Sequence, residues 1–268
     1  MPPMPDYRNP PLVEVVVGVQ FAPIEKLLTP YIGGYWETIR EKYSRVDERP
    51  PIPHLIEKYP AVSIGAEIKM LSKPEMPRIW FIDSSGNRLV QFQHDRFLFN
   101  WRKAKSGDEY PRYPSVREEF FLRWEGFCSF LNDEGLPQPK VDQCEVTYVN
   151  HILKGGSWDS FGDIERLFTV VNWRTRTEFL PCPESIRLSL RFVLPEKQGR
   201  LHVEALPAIV SGTGDEVIRL SLTVRGEPID RHTTAGLGKW FDLAREWIVR
   251  GFADLTAKET DITWERIA

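Results

Sequence analysis

The residues best suited to chemistry are arginines that alternate with hydroxyl side chains on two predicted strands. These strands span residues 185–194 and 216–225, and the strand predicted between them, 200–206, adds His202 on its polar side. Because side chains alternate between the two faces of a strand, the arginines would share one face while the leucines point the other way. Guanidinium groups bind carboxylates and phosphates in a forked geometry, so we predict an anionic-ligand site. Its residues are Arg187, Arg191, Arg219, Arg225 and His202.

This arginine-bearing face has a second interpretation, in which it binds no ligand. Arginine stems cover apolar neighbours while their charged ends stay in water, which is typical of a solvated sheet face. The sequence leaves both interpretations open.

Motifs of the common enzyme classes are missing from the sequence. It has no Walker-type glycine loop, no dinucleotide fingerprint, no Gly-x-Ser-x-Gly elbow and no His-Glu-x-x-His. The run Gly155-Gly156-Ser157 lacks a second glycine after the serine and is better interpreted as a loop. These observations favour a non-catalytic interaction or ligand-binding module that needs no cofactor. The alternative is a hydrolase-like enzyme with a dispersed site, built from Glu14, His151 and nearby carboxylates, so the question of catalysis stays open.

The histidines give no indication of a metal site. The five of them are far apart, and no two have the spacing of metal ligands. The pair His94-Asp95 lies where a tight turn is expected, and we expect Asp95 to accept hydrogen bonds from the local backbone.

The composition is that of a globular chain with balanced charge. The 268 residues are 41% hydrophobic, which is enough for a sizeable core. A net charge of −3 provides no global field that would attract nucleic acid, and we interpret the nine tryptophans as core residues. No stretch approaches the roughly 18 apolar residues of a membrane span. With three scattered cysteines and no visible signal peptide, the sequence predicts a soluble cytoplasmic protein whose partner is another protein or a small anion, and a homodimer is compatible with it.

Hydrophobic periodicity predicts the elements that would position these residues. Alternation with period two predicts strands, and stripes with a period of 3.6 residues predict helices. The predicted strands are 12–21, 61–70, 78–82, 88–93, 97–102, 141–153, 185–194, 200–206 and 216–225. The predicted helices are 24–43, a segment between a capping Ser115 with its partner Glu118 and a terminating Gly135, and 234–255. Residues 50–60 are predicted to be a proline-rich loop.

The order of these elements predicts an α+β fold. A three-stranded meander followed by a long aromatic-faced helix occurs twice, which suggests two antiparallel sheets, each covered by its own helix. A structural duplication is one explanation of this repetition, and coincidence is the other. We therefore divide the chain into an extended arm, 1–11, and two α+β halves, 12–156 and 157–268.

Parts of the chain resemble a bacterial family of uncharacterised proteins with a sporadic distribution. The resemblance lies in the opening NPPLVEVV of residues 9–16, the strand VTYVNHI of 146–152, and the closing WIVRGFADLT of 247–256 with WER at 264–266. It implies a unit that spans the whole chain, a bacterial source and genes of the mobile accessory kind. It assigns no catalytic residue, and an accessory or defence-related role is one hypothesis for such a module.

Overall fold

The predicted strands pair into one antiparallel sheet. A computed structural model describes residues 3–60, 76–171 and 179–268. The strands are β1 (Leu12–Phe21), β2 (Arg45–Arg49), β3 (Arg78–Ile82), β4 (Arg88–Gln93), β5 (Arg96–Arg102), β6 (Val141–Leu153), β7 (Leu188–Val193), β8 (Arg200–Ile209) and β9 (Glu216–Gly226). Within the described residues their order across the sheet is β2-β3-β4-β5-β1-β6-β9-β8-β7. The strand predicted at 61–70 lies outside these residues.

The prediction of two separate sheets is wrong, because β6 of the predicted half 12–156 pairs with β9 of the predicted half 157–268. Two separate sheets would each expose a long edge of unpaired N–H and C=O groups, and this pairing removes both edges. Within the predicted half 12–156, β1 pairs with β6 along the length of β1.

The structure does not support a duplication either. An eleven-residue helix and the extra strand β2 follow β1, whereas a short 3-10 helix, Phe161–Arg166, follows β6. The two halves therefore reach similar meanders by different connections. The domain boundaries drawn at 11 and 156 stay predictions.

Four α-helices lie in the described residues, and three of them are long enough to cover the sheet. They are α1 (Thr29–Ile39), α2 (Arg112–Asp133), α3 (Thr234–Leu255) and the short α4 (Lys258–Thr263). The bounds of α3 are those predicted, and Thr233 caps it by accepting a hydrogen bond from the Gly236 amide. The predicted cap of α2 at Ser115 is wrong, because the helix begins at Arg112 and no side chain caps it. No described helix is both long and apolar enough to span a bilayer.

The core lies between one face of the sheet and the long helices. Val15, Val17 and Val19 point into it from β1, as their alternation predicts. The aromatic stripe of α2 packs on β5, where the rings of Phe97 and Phe127 stack with their centroids 5.3 Å apart. All five side chains bury apolar surface, so this face holds the sheet and helices together. No described helix packs on the opposite face, which carries the polar residues.

Gly18 is required in the centre of the sheet, whereas Gly33 on α1 is not. A methyl group on Gly18 would lie 2.1 Å from Leu98 Cδ2 and 2.9 Å from the Phe97 carbonyl oxygen, but one on exposed Gly33 would contact nothing within 4 Å. We expect Gly18→Ala to lower the free energy of unfolding by about 1–3 kcal/mol through overpacking. Gly33→Ala should raise it by about 0.5–1 kcal/mol, since alanine favours a helix interior. Urea denaturation measures both, and equal effects would contradict this account.

Candidate functional site

The polar face of the sheet carries the predicted site residues, but the structure does not bring all of them together. Arg225 and His202 are diagonal neighbours near one end of β8 and β9. Arg219 lies at the other end of β9, opposite His151. Arg191 is exposed on the edge strand β7, and Arg187 is exposed just before that strand begins. The predicted cluster is therefore divided among three places.

A segment of the chain itself covers the middle of this face. Residues 50–60, here called the strap, contain four prolines and run from the end of β2 across the polar side of the sheet. Gln93 of β4 exchanges two hydrogen bonds of 2.9 Å with the backbone of Ile52. Gln20 of β1 donates to the Leu55 carbonyl at 3.2 Å, and Gln143 of β6 accepts from the Glu57 amide at 3.2 Å. Glutamines on three strands thus supply the backbone partners that a loop would otherwise find in water.

The strap places a carboxylate among the arginines. Glu57 forms ion pairs with Arg200 and with His202, the latter at 2.5 Å, and it lies 3.8 Å from Arg225. Arg225 also contacts Glu145 at 2.7 Å. The side chains of Glu57 and Arg200 are only 9% and 6% exposed. Two of the predicted anion-binding residues therefore do hold a carboxylate, and that carboxylate belongs to this chain.

The positive charges around Glu57 determine the direction in which the pKa of its carboxyl group shifts. Burial alone would raise the pKa of its carboxyl group. The hydrogen bond from His202 and the positive charges of His202, Arg200 and Arg225 outweigh burial and hold the pKa below its usual value. Glu57 is therefore an ionised counter-ion at neutral pH.

A second pair fixes the other end of the strap. His54 Nδ1 lies 2.8 Å from Asp95 Oδ2, and Gln93 donates to Asp95 Oδ1 at 3.0 Å. We expected Asp95 to accept hydrogen bonds from the local backbone, but this buried carboxylate binds the side chains of Gln93 and of His54 on the strap.

Sequence reasoning missed Arg200 and Glu57 for different reasons. Arg200 shares the polar side of β8 with His202, so alternation of side chains along that strand carries the signal. Glu57 lies in a proline-rich loop without periodicity, and nothing in the sequence indicates where that loop crosses the sheet.

Beyond the strap, the polar face opens into a cavity, here called the basin. It has a volume of about 770 Å³ and is lined by Glu14, His151 and Arg219 together with Arg102 and Lys103. Arg219 was predicted as a ligand-binding residue, and Glu14 and His151 as the centre of a dispersed catalytic site. The structure therefore brings residues of both hypotheses to one cavity.

A line of hydrogen bonds holds the carboxyl group of Glu14. Arg78 donates to Gln91 Oε1 at 2.8 Å, and the Gln91 amide donates to Asn100 Oδ1 at 2.6 Å. The Asn100 amide then donates to Glu14 Oε1, also at 2.6 Å. Because every donor points the same way, the line fixes the rotamer of Glu14 and leaves its second oxygen for the basin.

The pKa values of Glu14 and His151 are shifted in opposite directions from their usual values. Burial raises the pKa of Glu14, although the bond from Asn100 and the charges of Arg102, Arg219 and Arg78 oppose it. Burial lowers the pKa of His151, and the charge of Arg219 lowers it further. Burial therefore favours the neutral forms of both groups.

We expect Glu57→Ala to lower the free energy of unfolding by about 3 kcal/mol, because it leaves buried Arg200 without its counter-ion. Glu37→Ala is the matched control, since its ion pair with Arg40 is more than half exposed and should contribute less than about 0.5 kcal/mol. Chemical denaturation at pH 7 measures both. A loss at Glu57 no larger than that at Glu37 would show that the strap is only weakly bound.

The contribution of Glu57 should also depend on pH. Its folded-state pKa is lowered, so its stabilisation is present above the unfolded-state pKa and is lost as the pH falls through the folded value. The difference in stability between the unaltered protein and Glu57→Gln should therefore shrink below about pH 4. A difference that stays constant from pH 7 to about pH 3 would contradict the lowered pKa.

Comparison with known proteins assigns no function to these sites. The chain matches no protein-family model, and no curated protein matches it either. In the described ranges, no group of three or more His, Cys, Asp and Glu side chains is arranged to hold a metal ion. The family resemblance drawn from residues 9–16, 146–152 and 247–256 stays a prediction, and the candidate sites rest on their geometry alone.

Proposed function

We propose that this protein is a non-catalytic module that binds a small anionic ligand in the basin. The observation that carries the proposal is a group of basic side chains without counter-ions around a polar floor. Arg102, Lys103, Lys105 and Arg219 line the basin, and no carboxylate of the described residues lies within 4 Å of any of them. The fifth basic residue, Lys154, already pairs with Glu216 at 2.6 Å.

The cluster under the strap differs from the basin in its ion pairs, and this difference supports ligand binding in the basin. There Glu57 pairs with Arg200 and Glu145 pairs with Arg225, so a ligand would have to displace a carboxylate of the chain itself to bind these two arginines. Of the described residues that line the basin, only Glu14 and Asp215 have carboxyl groups, against four cations that pair with no described carboxylate. Since burial favours the neutral form of Glu14, the field in the basin is positive and favours an anion.

The floor of the basin gives the site its selectivity. Arg219 and His151 are paired across β6 and β9, and both side chains line the floor of the basin. A compact anion with several oxygens, such as a diphosphate or a tricarboxylate, matches donors that converge from several sides. A monoanion would leave several of these cations unpaired.

Binding of pyrophosphate and citrate, measured by isothermal titration calorimetry, tests the proposal. We expect Arg219→Ala to weaken binding about ten-fold or more, because one charge-assisted contact is lost. Arg191→Ala removes the same charge from the same face but outside the basin, and it should leave the affinity within about two-fold of the original value. Equal losses in the two variants, or no binding of either anion, would refute the site.

A second candidate function is a hydrolase in which Glu14 and His151 act as acid and base. The opposite pKa shifts of two groups in one cavity favour it, since a neutral carboxylic acid and a neutral imidazole are a suitable pair for proton transfer. Glu14 would protonate a leaving group, while His151 would activate water.

Product formation from phosphate and carboxylate esters, followed by NMR, separates the two candidates. A hydrolase should lose turnover by about 100-fold or more in Glu14→Gln. A binding module should show no turnover at all, while Glu14→Gln keeps its affinity for pyrophosphate. Turnover that is unaffected by Glu14→Gln and by His151→Gln would exclude this pair as the catalytic groups.

A further inference from the structure

A separate cavity lies on the helix-covered side of the sheet, where residues 3–11 form the extended arm. Its volume is about 440 Å³, within the range of roughly 300–1,000 Å³ that is usual for small-molecule sites. The arm borders it through Met4, Pro5, Tyr7 and Pro10. We call it the arm cavity.

The arm is held in place by contacts with the last residues of the chain. The Arg8 amide donates to the Glu265 carbonyl at 3.0 Å, and the Ile267 amide donates to the Asp6 carbonyl at 2.8 Å. The ring of Tyr7 packs edge-on against Phe252 with centroids 5.6 Å apart. These contacts hold the arm in the position where it forms one wall of the cavity.

Most of the cavity wall is apolar. Leu12 and Leu222 contribute from the sheet, and Ile248, Val249 and Phe252 contribute from α3. A wall of this kind favours an aliphatic or aromatic body, because each apolar group moved out of water lowers the free energy of binding.

The polar groups of the arm cavity converge at one end. The hydroxyl oxygens of Tyr110 and Tyr148 lie 3.1 Å apart, and Arg245 is close enough to Tyr148 for its positive charge to oppose the rise in the pKa of that hydroxyl. Burial raises the pKa of both tyrosines, which keeps them protonated and able to donate. One tyrosine hydroxyl donates to the other, so one hydroxyl hydrogen and one cation meet at the edge of an apolar wall.

Arg245 has no counter-ion among the described residues. No described carboxylate lies within 4 Å of its guanidinium, and its Nε is buried without a hydrogen-bond partner. Its other contact is the ring of Tyr113, 5.0 Å from the guanidinium carbon. Arg112, the second arginine of the cavity, already pairs with Asp6 at 2.9 Å. Arg245 is only partly exposed and its Nε is buried, so holding its charge here without an anion is costly, and a ligand that supplies the anion would offset that cost.

We propose that the arm cavity binds a hydrophobic carboxylate, an alkanoate of medium chain length. Its carboxylate would meet Arg245 and the Tyr148 hydroxyl, and its chain would lie along Val249 and Phe252. A single guanidinium matches a monoanion, whereas the four unpaired cations of the basin match an anion of higher charge. The two sites therefore take different ligands.

The test is titration of the full chain with octanoate, octan-1-ol and octylamine, followed by calorimetry. These probes share one tail, so their differences report the charged end alone. We expect octanoate to bind at least about ten-fold more tightly than octan-1-ol and octylamine to bind most weakly. Equal affinities for octanoate and octan-1-ol, or no binding of octanoate, would overturn the proposal.

Substitutions in the arm cavity test whether octanoate binds there. Arg245→Met keeps the apolar stem and should weaken octanoate binding about ten-fold or more, while Lys239→Met on the same helix removes an exposed charge and should change nothing. Val249→Phe fills the cavity and should abolish binding of both octanoate and octan-1-ol in a folded protein, as checked by circular dichroism. Arg219→Ala should leave octanoate binding unchanged, which separates this site from the basin. Octanoate binding that survives Val249→Phe and Arg245→Met would contradict the assignment.

Discussion

The pairing of β1 with β6 is the interaction on which the rest of the structure depends. It joins five strands on one side to four on the other, so that one sheet has one apolar face and one polar face. The long helices cover the apolar face, where aromatic side chains such as Phe97 and Phe127 fill the core. The polar face must satisfy its buried groups by other means, and both the strap and the basin follow from that requirement.

Much of the fold was predictable because its elements are long and strongly periodic. The strand Val141–Leu153 and the helix Thr234–Leu255 have the predicted bounds, since a dozen or more residues of consistent period exclude other structures. Strand β2, with the sequence RVDER, was missed because it is an edge strand with almost no buried side chain and hence no alternation. The single sheet was missed because alternation shows which face of a strand is buried but not which strand is its neighbour.

The candidate sites were predictable only in part. Alternation placed Arg219 and Arg225 on the polar face, but it does not show that one would lie in an open cavity and the other under the strap. Glu57 changes the meaning of the predicted cluster, because its carboxylate takes the place that a ligand would have had. That Arg245 has no counter-ion among the described residues is likewise a property of the folded chain, since its helix brings it to Tyr148 of a distant strand.

The strap has a consequence for the order in which the molecule assembles. Gln93, Gln20 and Gln143, which bind its backbone, belong to strands far apart in sequence and become neighbours only when the sheet has closed. The strap therefore has no template to dock on until β1, β4 and β6 are in register. Until then the glutamines and arginines beneath it remain hydrated, and we expect water to leave this surface as one of the last events of folding.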